Sequence, residues 1–99
     1  MDKYVYAMFI ERGKSYNKIN GELVKRHVAF IRDLDDAGKL VLCGPFKGWP
    51  GVGGMIVLRA GTFEEADEIC QTEPFCAEGY ATYKLRTLEP GTRENNYLL

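Results

Sequence analysis

Tyr4-Val-Tyr-Ala-Met-Phe-Ile10 is the stretch on which the fold turns. Side chains alternate along a strand, so Val5, Ala7 and Phe9 share one face and Tyr4, Tyr6, Met8 and Ile10 the other. Both sets are apolar. A strand of this kind needs cover on both sides, and helices packed on one face of its sheet supply only half of it.

Working outward, Glu11 to Asn20 is polar. Asn20 is placed to N-cap a helix over about 21–37, with Gly38 as its left-handed stop. Leu40 to Cys43 predicts a second strand, and Met55 to Ala60 a third. Between them Gly44–Gly54 reads as a loop, with its glycines, two prolines and the only tryptophan, Trp49. Thr62-Phe-Glu-Glu65 has the form of a capping box, Thr62 as cap and Glu65 reaching back to it. Phe63, Ala66, Ile69 and Cys70 give the following helix its apolar face. Pro74 ends that helix and can start a new turn, Gly79 closes the turn, and Tyr80 to Leu88 predicts the last strand.

The order β-α-β-β-α-β predicts an α+β ferredoxin-like sandwich, a four-stranded antiparallel sheet with its helices on one face. Met55, Val57, and Tyr80 or Tyr83 are expected to join Val5, Ala7 and Phe9 on the other face. An apolar surface of that extent is expected to pack against a second copy, giving a homodimer. Residues 1–99 form a single domain, and the tail 90–99 ends in Tyr97-Leu98-Leu99, three apolar residues expected to dock on the partner subunit and help close the pocket.

Composition narrows the function. Thirteen basic and 14 acidic residues give a net charge of −1, with no electrostatic footprint for nucleic acid. Lys18, Lys25 and Arg32 recur every seven residues and predict a basic stripe on the outer side of the first helix, a solvated face or an attraction for an anionic small molecule. No apolar run reaches the ~20 residues of a membrane span. Met1-Asp2-Lys3-Tyr4 leads straight into strand-like sequence, so no signal peptide is expected. Three cysteines, Cys43, Cys70 and Cys76, are an odd count that fits a reducing cytoplasm. They form no CxxC pair, so no metal is expected, and Cys43 and Cys70 lie in apolar segments where buried, inert thiols belong.

Chemistry points first to His27, the only histidine. Leu23, Phe30, Ile31 and Leu34 lie three, four or seven residues from it and share its helix face. An inward imidazole there is either a hydrogen-bonded core residue or a proton-transfer group. Glu73 is the second candidate. Pro74 at a first helical position makes Glu73 the cap of that turn, and Pro74 and Phe75 stand beside it as possible pocket residues. The carboxylate either caps the turn only or also orients an imidazole. The segment Gly44-Pro-Phe-Lys-Gly-Trp-Pro-Gly-Val-Gly-Gly54 lacks a GK[ST] ending and leads into a strand, which excludes a phosphate loop and leaves a hairpin or a pocket lid. Trp49 at its tip is either a lid residue or a cap over the core.

These pieces, taken in order, resemble the YciI-like (YCII-related) family. They are the N-terminal strand, the helix with Arg26-His27 that ends Asp36-Ala-Gly38, Lys39-Leu-Val-Leu-Cys-Gly-Pro-Phe46, the Gly53-Gly54 strand entry, Thr62-Phe-Glu-Glu-Ala66, and Glu73-Pro-Phe-Cys-Ala-Glu-Gly79. The resemblance implies a ferredoxin-like dimer with a cleft holding a His–Asp dyad. It relates the chain to a dehydrochlorinase of a chlorinated hydroxyhydroquinone and to muconolactone isomerase-type dimers. Carried over, the dyad is His27 and Glu73. The family usually has aspartate at the second position, so this chain reaches one C–C bond of about 1.5 Å further. Gly54 stands where relatives often carry a small hydroxyl residue.

The leading expectation is a cofactor-free enzyme, a lyase or isomerase, in which His27 moves a proton on a small cyclic or aromatic substrate and Glu73 stabilises the imidazolium. Gly44, Pro45 and Phe46 are assigned to a pocket wall with Trp49 and Gly54, and Arg12 to an anionic substituent of the substrate. The alternatives are a non-catalytic ligand-binding or interaction module and, by fold analogy, a cofactor-free oxygenase.

Overall fold

The computed structural model describes residues 3–99, and the expectation drawn from Met1 and Asp2 lies outside them. Strand β1 (Val5–Arg12) is followed by helix α1 (Gly21–Asp36), the hairpin β2 (Leu40–Pro45) and β3 (Val52–Leu58), helix α2 (Phe63–Gln71), the single turn α3 (Pro74–Ala77) and β4 (Ala81–Leu88). The four strands lie in the order β2-β3-β1-β4, and every neighbouring pair is antiparallel. This is the ferredoxin-like order.

Local chemistry sets the helix ends. The Asn20 side chain accepts from the Leu23 amide at 2.9 Å and opens α1. The helix closes on Gly38 (φ +72°), with Gly38 N–H donating to Asp35 O and Lys39 N–H to Leu34 O. That paired arrangement is a Schellman stop, and it recurs at Gly79 (φ +84°) after α3. Thr62 caps α2 as expected, but Glu65 reaches past it and accepts from the Gly61 amide at 2.8 Å. Lys18 lies in a 3-10 turn (Tyr16–Lys18) that precedes α1, so the basic stripe of the helix is reduced to Lys25 and Arg32.

Tyr6, Met8 and Ile10 face the helices and form the core with Leu23 and Leu34 of α1, Ile56 and Leu58 of β3, Ala66 and Cys70 of α2, and Phe75 of α3. Val5, Ala7 and Val57 form a second cluster on the open face, flanked by Phe9 and Met55. Tyr80 and Tyr83 are not there. Tyr83 pairs with Ile10 across β1 and β4, so it takes the helix side, and its hydroxyl donates to Asp67 Oδ1 at 2.6 Å. Tyr80 packs on the helix-side core as well.

The loop expected over 44–54 is shorter in the structure, because strand enters it from both ends. Pro45 pairs with Gly54 and Gly44 with Met55, leaving residues 46–51 as the hairpin connection. Glycine and proline signalled a loop throughout, but Gly53 and Gly54 lie within β3 and serve close approach. A Cβ on Gly54 would stand 2.7 Å from the Gly44 carbonyl oxygen.

The tail beyond Pro90 folds on itself. Asn95 bonds to Thr92 and to the Pro90 carbonyl, and Tyr97 N–H donates to Thr92 O. Tyr97, Leu98 and Leu99 stay exposed on this single chain. No helix of the described residues is long and apolar enough to cross a membrane.

Candidate active site

α1 carries His27 to the rim of the sheet, and α3 stands opposite it. Proline at the first position of α3 holds Glu73 in extended backbone just before the turn, where its carboxylate faces the free amides. Oε1 accepts from Cys76 N–H at 3.0 Å, and Oε2 from Phe75 N–H at 3.0 Å. Oε2 also meets His27 Nδ1 at 2.7 Å. Glu73 therefore caps its turn and holds the imidazole at once.

Electrostatics fix the proton's place. Glu73 is wholly buried, at 0 % exposure, which alone would raise its pKa. The bonds from His27 and from the Phe75 and Cys76 amides outweigh that burial and hold the carboxyl below its ordinary range. An ionised carboxylate only accepts. Nδ1 thus carries the hydrogen, and Nε2 of a neutral ring keeps its lone pair. No partner within the described residues takes Nε2, and the side chain is 19 % exposed. The ring also stacks on Phe75, with centroids 4.2 Å apart and planes 8° from parallel. Arg26 and Glu78, 2.7 Å apart and solvated, make a second link between α1 and the end of α3.

His27 lines a cleft of about 320 Å³ between α1 and the β2–β3 hairpin. Phe75, Gly44, Pro45 and Gly54 line it too, as do Tyr16, Val28, Ile31, Cys43 and Gly53. The volume lies at the lower end of small-molecule pockets and suits a single ring. Pro74 is buried behind the turn and does not reach the cleft wall.

Three further residues go elsewhere. Phe46 stacks on Phe9 at 6.3 Å, and Trp49 packs edge-on to Phe9 at 6.1 Å, so both lie over the open sheet face away from His27. Left-handed glycines at 48 and 51 turn the hairpin that way. Arg12 holds the same hairpin, its guanidinium donating to the Trp49 and Val52 carbonyls at 3.3 Å each. Its place is beside the cleft, not in its lining. Cys43, expected to be buried, is exposed in the cleft wall, because β2 is the sheet's edge and its register with Ile56 turns the thiol to the helix side where the cleft opens. Among the described residues no three His, Cys, Asp or Glu side chains converge as a metal site.

Fold and site together define a class: a small ferredoxin-like domain with an imidazole–carboxylate pair on the wall of an apolar cleft. The model of the YCII-related domain matches residues 5–89, and the chain belongs to that family. It is similar to the uncharacterized protein YjpA of Bacillus subtilis (strain 168), 34 % identical over 76 residues that cover 77 % of this chain and 84 % of that one. Among solved structures it resembles 5-chloro-2-hydroxyhydroquinone dehydrochlorinase (TftG) from Burkholderia phenoliruptrix AC1100, in complex with 2,5-dihydroxybenzoquinone. The TM-score is 0.73 at 15 % identity, over 88 % of this chain and 95 % of that one. Likeness at that identity speaks for the fold.

Proposed function

We propose that this protein is a small enzyme that moves a proton on a single-ring substrate, with His27 as base and Glu73 as its buried counter-charge, by elimination or isomerisation. One observation carries the reading: a fully buried carboxylate whose third partner, beyond the two amides it caps, is an imidazole at 2.7 Å on a cleft wall. Capping alone needs no imidazole. In the forward step a C–H proton of the substrate passes to Nε2 and its electron pair becomes the new π bond. In elimination the leaving group departs with the electrons of its own bond; in isomerisation the proton returns at another atom. Glu73 stabilises the imidazolium formed between these events. No step requires an electron carrier.

A second copy on the open sheet face completes the proposal. A groove of about 710 Å³ there is lined by Val5, Ala7, Phe9, Met55 and Val57, with Leu42 and Leu88 half-exposed at its sides. Pro90 and Thr92 reach its edge, which supports the tail's docking across the partner. Free thiols at 43, 70 and 76 support a reducing compartment such as the cytoplasm.

The test uses chlorinated hydroxyhydroquinones and small lactones as probes, with chloride release and ultraviolet absorbance as readouts. Turnover is expected to fall on the order of 10²–10⁴-fold in His27→Gln. Equal turnover by that variant overturns His27 as the base, and no turnover by the wild type while a probe binds in the cleft overturns proton transfer and leaves a ligand-binding module.

A further inference from the structure

We infer that Tyr16 is the residue that binds the substrate's oxygen in the His27 cleft, so the cleft takes a small uncharged ring bearing a hydroxyl or carbonyl group. The inference rests on the reading of that cleft as the substrate site.

Tyr16 begins the 3-10 turn between β1 and α1, and it lines the cleft together with His27 and Phe75. Its ring is clamped on three sides. Phe75 meets it edge-on at 6.0 Å and 78°. The Arg12 guanidinium lies over it, 5.5 Å from the centroid, and is itself tied to the Trp49 and Val52 carbonyls. The third side is the bare backbone of Gly53, where an added Cβ would stand 2.9 Å from the Tyr16 hydroxyl and 3.4 Å from Cζ. A glycine has been placed where the phenol oxygen needs room.

That oxygen has no hydrogen-bond partner among the described residues, and it is not sealed from solvent. Of the other tyrosines packed in or against the core, Tyr83 is satisfied by Asp67 at 2.6 Å, and Tyr6 and Tyr80 lie outside the cleft lining; Tyr16 is the core-packed phenol that the cleft presents. A phenylalanine would fill the clamp at residue 16 equally well, so packing does not account for the hydroxyl. A fixed, unpaired donor in a cleft wall is a preorganised contact for a ligand acceptor.

Charge and size define the ligand. None of the cleft's lining residues is Lys, Arg, Asp or Glu. The formal charge directly behind His27 is the Glu73 carboxylate, which disfavours an anion in front of the ring. The about 320 Å³ available holds one ring and its substituents. When a proton leaves a carbon beside a C–O group, charge builds on that oxygen, and the Tyr16 hydroxyl donates to it there.

Hydroquinone is the probe, with toluene as an apolar control and benzoate as an anionic one, and dissociation constants are read from ligand and aromatic-ring NMR shifts. Tyr16→Phe should weaken hydroquinone about 5–10-fold and leave toluene within about two-fold, the effect of one lost hydrogen bond. Benzoate should bind the wild type more weakly than hydroquinone. Gly53→Ala should reproduce the Tyr16→Phe loss and add little to it in the double variant, because both act on one oxygen. An unchanged hydroquinone constant in Tyr16→Phe, or tighter benzoate binding, overturns the inference. The outcome is separable from that of proton transfer. Tyr16-dependent binding with no turnover sinks the base chemistry alone, and His27-dependent turnover with Tyr16-independent binding sinks this assignment alone.

Discussion

Replacing Glu73 by glutamine removes one acceptor from a site that uses two. In the wild type Oε2 receives both His27 Nδ1–H at 2.7 Å and Phe75 N–H at 3.0 Å, while Oε1 receives Cys76 N–H at 3.0 Å. Glutamine keeps one acceptor oxygen and gains an NH₂. If that oxygen takes the Oε2 position, NH₂ opposes the Cys76 amide. In the reverse orientation NH₂ opposes the Phe75 amide, and the imidazole must place its hydrogen on Nε2 to accept from it. Either way a backbone N–H is left facing a donor, at a residue with no exposure, at a cost of about 1–3 kcal/mol. For a chain of 99 residues that is a fall of about 4–8 °C in Tm per kcal/mol. Thermal unfolding of Glu73→Gln and wild type across pH is the assay. The sign follows from a folded pKa held below its unfolded value. The stabilisation is full above the unfolded carboxylate range of about 4 and is lost as pH falls through the folded value. The two curves should therefore lie apart at neutral pH and converge in acid, where a protonated glutamate resembles glutamine. Equal stability at neutral pH, or curves that stay parallel down to about pH 3, would refute the reasoning.

Four other outcomes are expected. An aromatic disulfide reagent should titrate Cys43 rapidly in the native protein and the other two thiols only on unfolding. Burial first, then the Asp67 and Glu73 charges, pushes Cys70 up to about 12, and burial with Glu73 also raises Cys76; two fast native thiols would contradict this. Gly54→Ala should lower stability by about 1–3 kcal/mol in urea titrations, since its Cβ would meet the Gly44 carbonyl at 2.7 Å, and an unchanged midpoint would show that β2 yields freely. Sedimentation should give twice the chain mass and Val57→Lys the single mass, a buried charge on the open face being incompatible with a second copy; a wild-type monomer at micromolar concentration removes the dimer. Deleting residues 95–99 should weaken that dimer, whereas an unaltered dissociation constant together with fast amide exchange in the intact tail means that Tyr97, Leu98 and Leu99 dock nowhere.

The fold was legible because its evidence is periodic and local. Alternation along Tyr4–Ile10, the Asn20 and Thr62 caps, and Gly38 and Gly79 as stops each act within a few residues, and each acts that way in the structure. Errors arose where one residue type has two uses. Gly53 and Gly54 read as loop because glycine breaks strands, but here they let β2 and the Tyr16 phenol approach a strand closely. The faces of Tyr80 and Tyr83 depend on register against β1, which alternation along β4 alone does not supply.

Of the candidate site, with Tyr16 as proposed above, only part was legible, for a related reason. His27 stands out by being the sole histidine on an apolar stripe, and Glu73 by the proline that follows it. Tyr16 has no such mark. It lies in a polar, aperiodic stretch, and what distinguishes it, a clamp of Phe75, Arg12 and the empty side of Gly53, is assembled from three other parts of the chain. Arg12 was legible as a cation near a pocket, but its two carbonyl bonds to the hairpin give it a different task. It anchors the hairpin, it covers the phenol ring, and through that ring it bears on the cleft without entering it. Glu73 joins two tasks in the same way. The amides that make it a cap also keep it ionised in a buried place, and only an ionised carboxylate there obliges Nδ1 to carry the hydrogen and leaves Nε2 free to accept a proton. Cap and dyad are therefore one structure, and a change that spares the turn but removes the charge separates them.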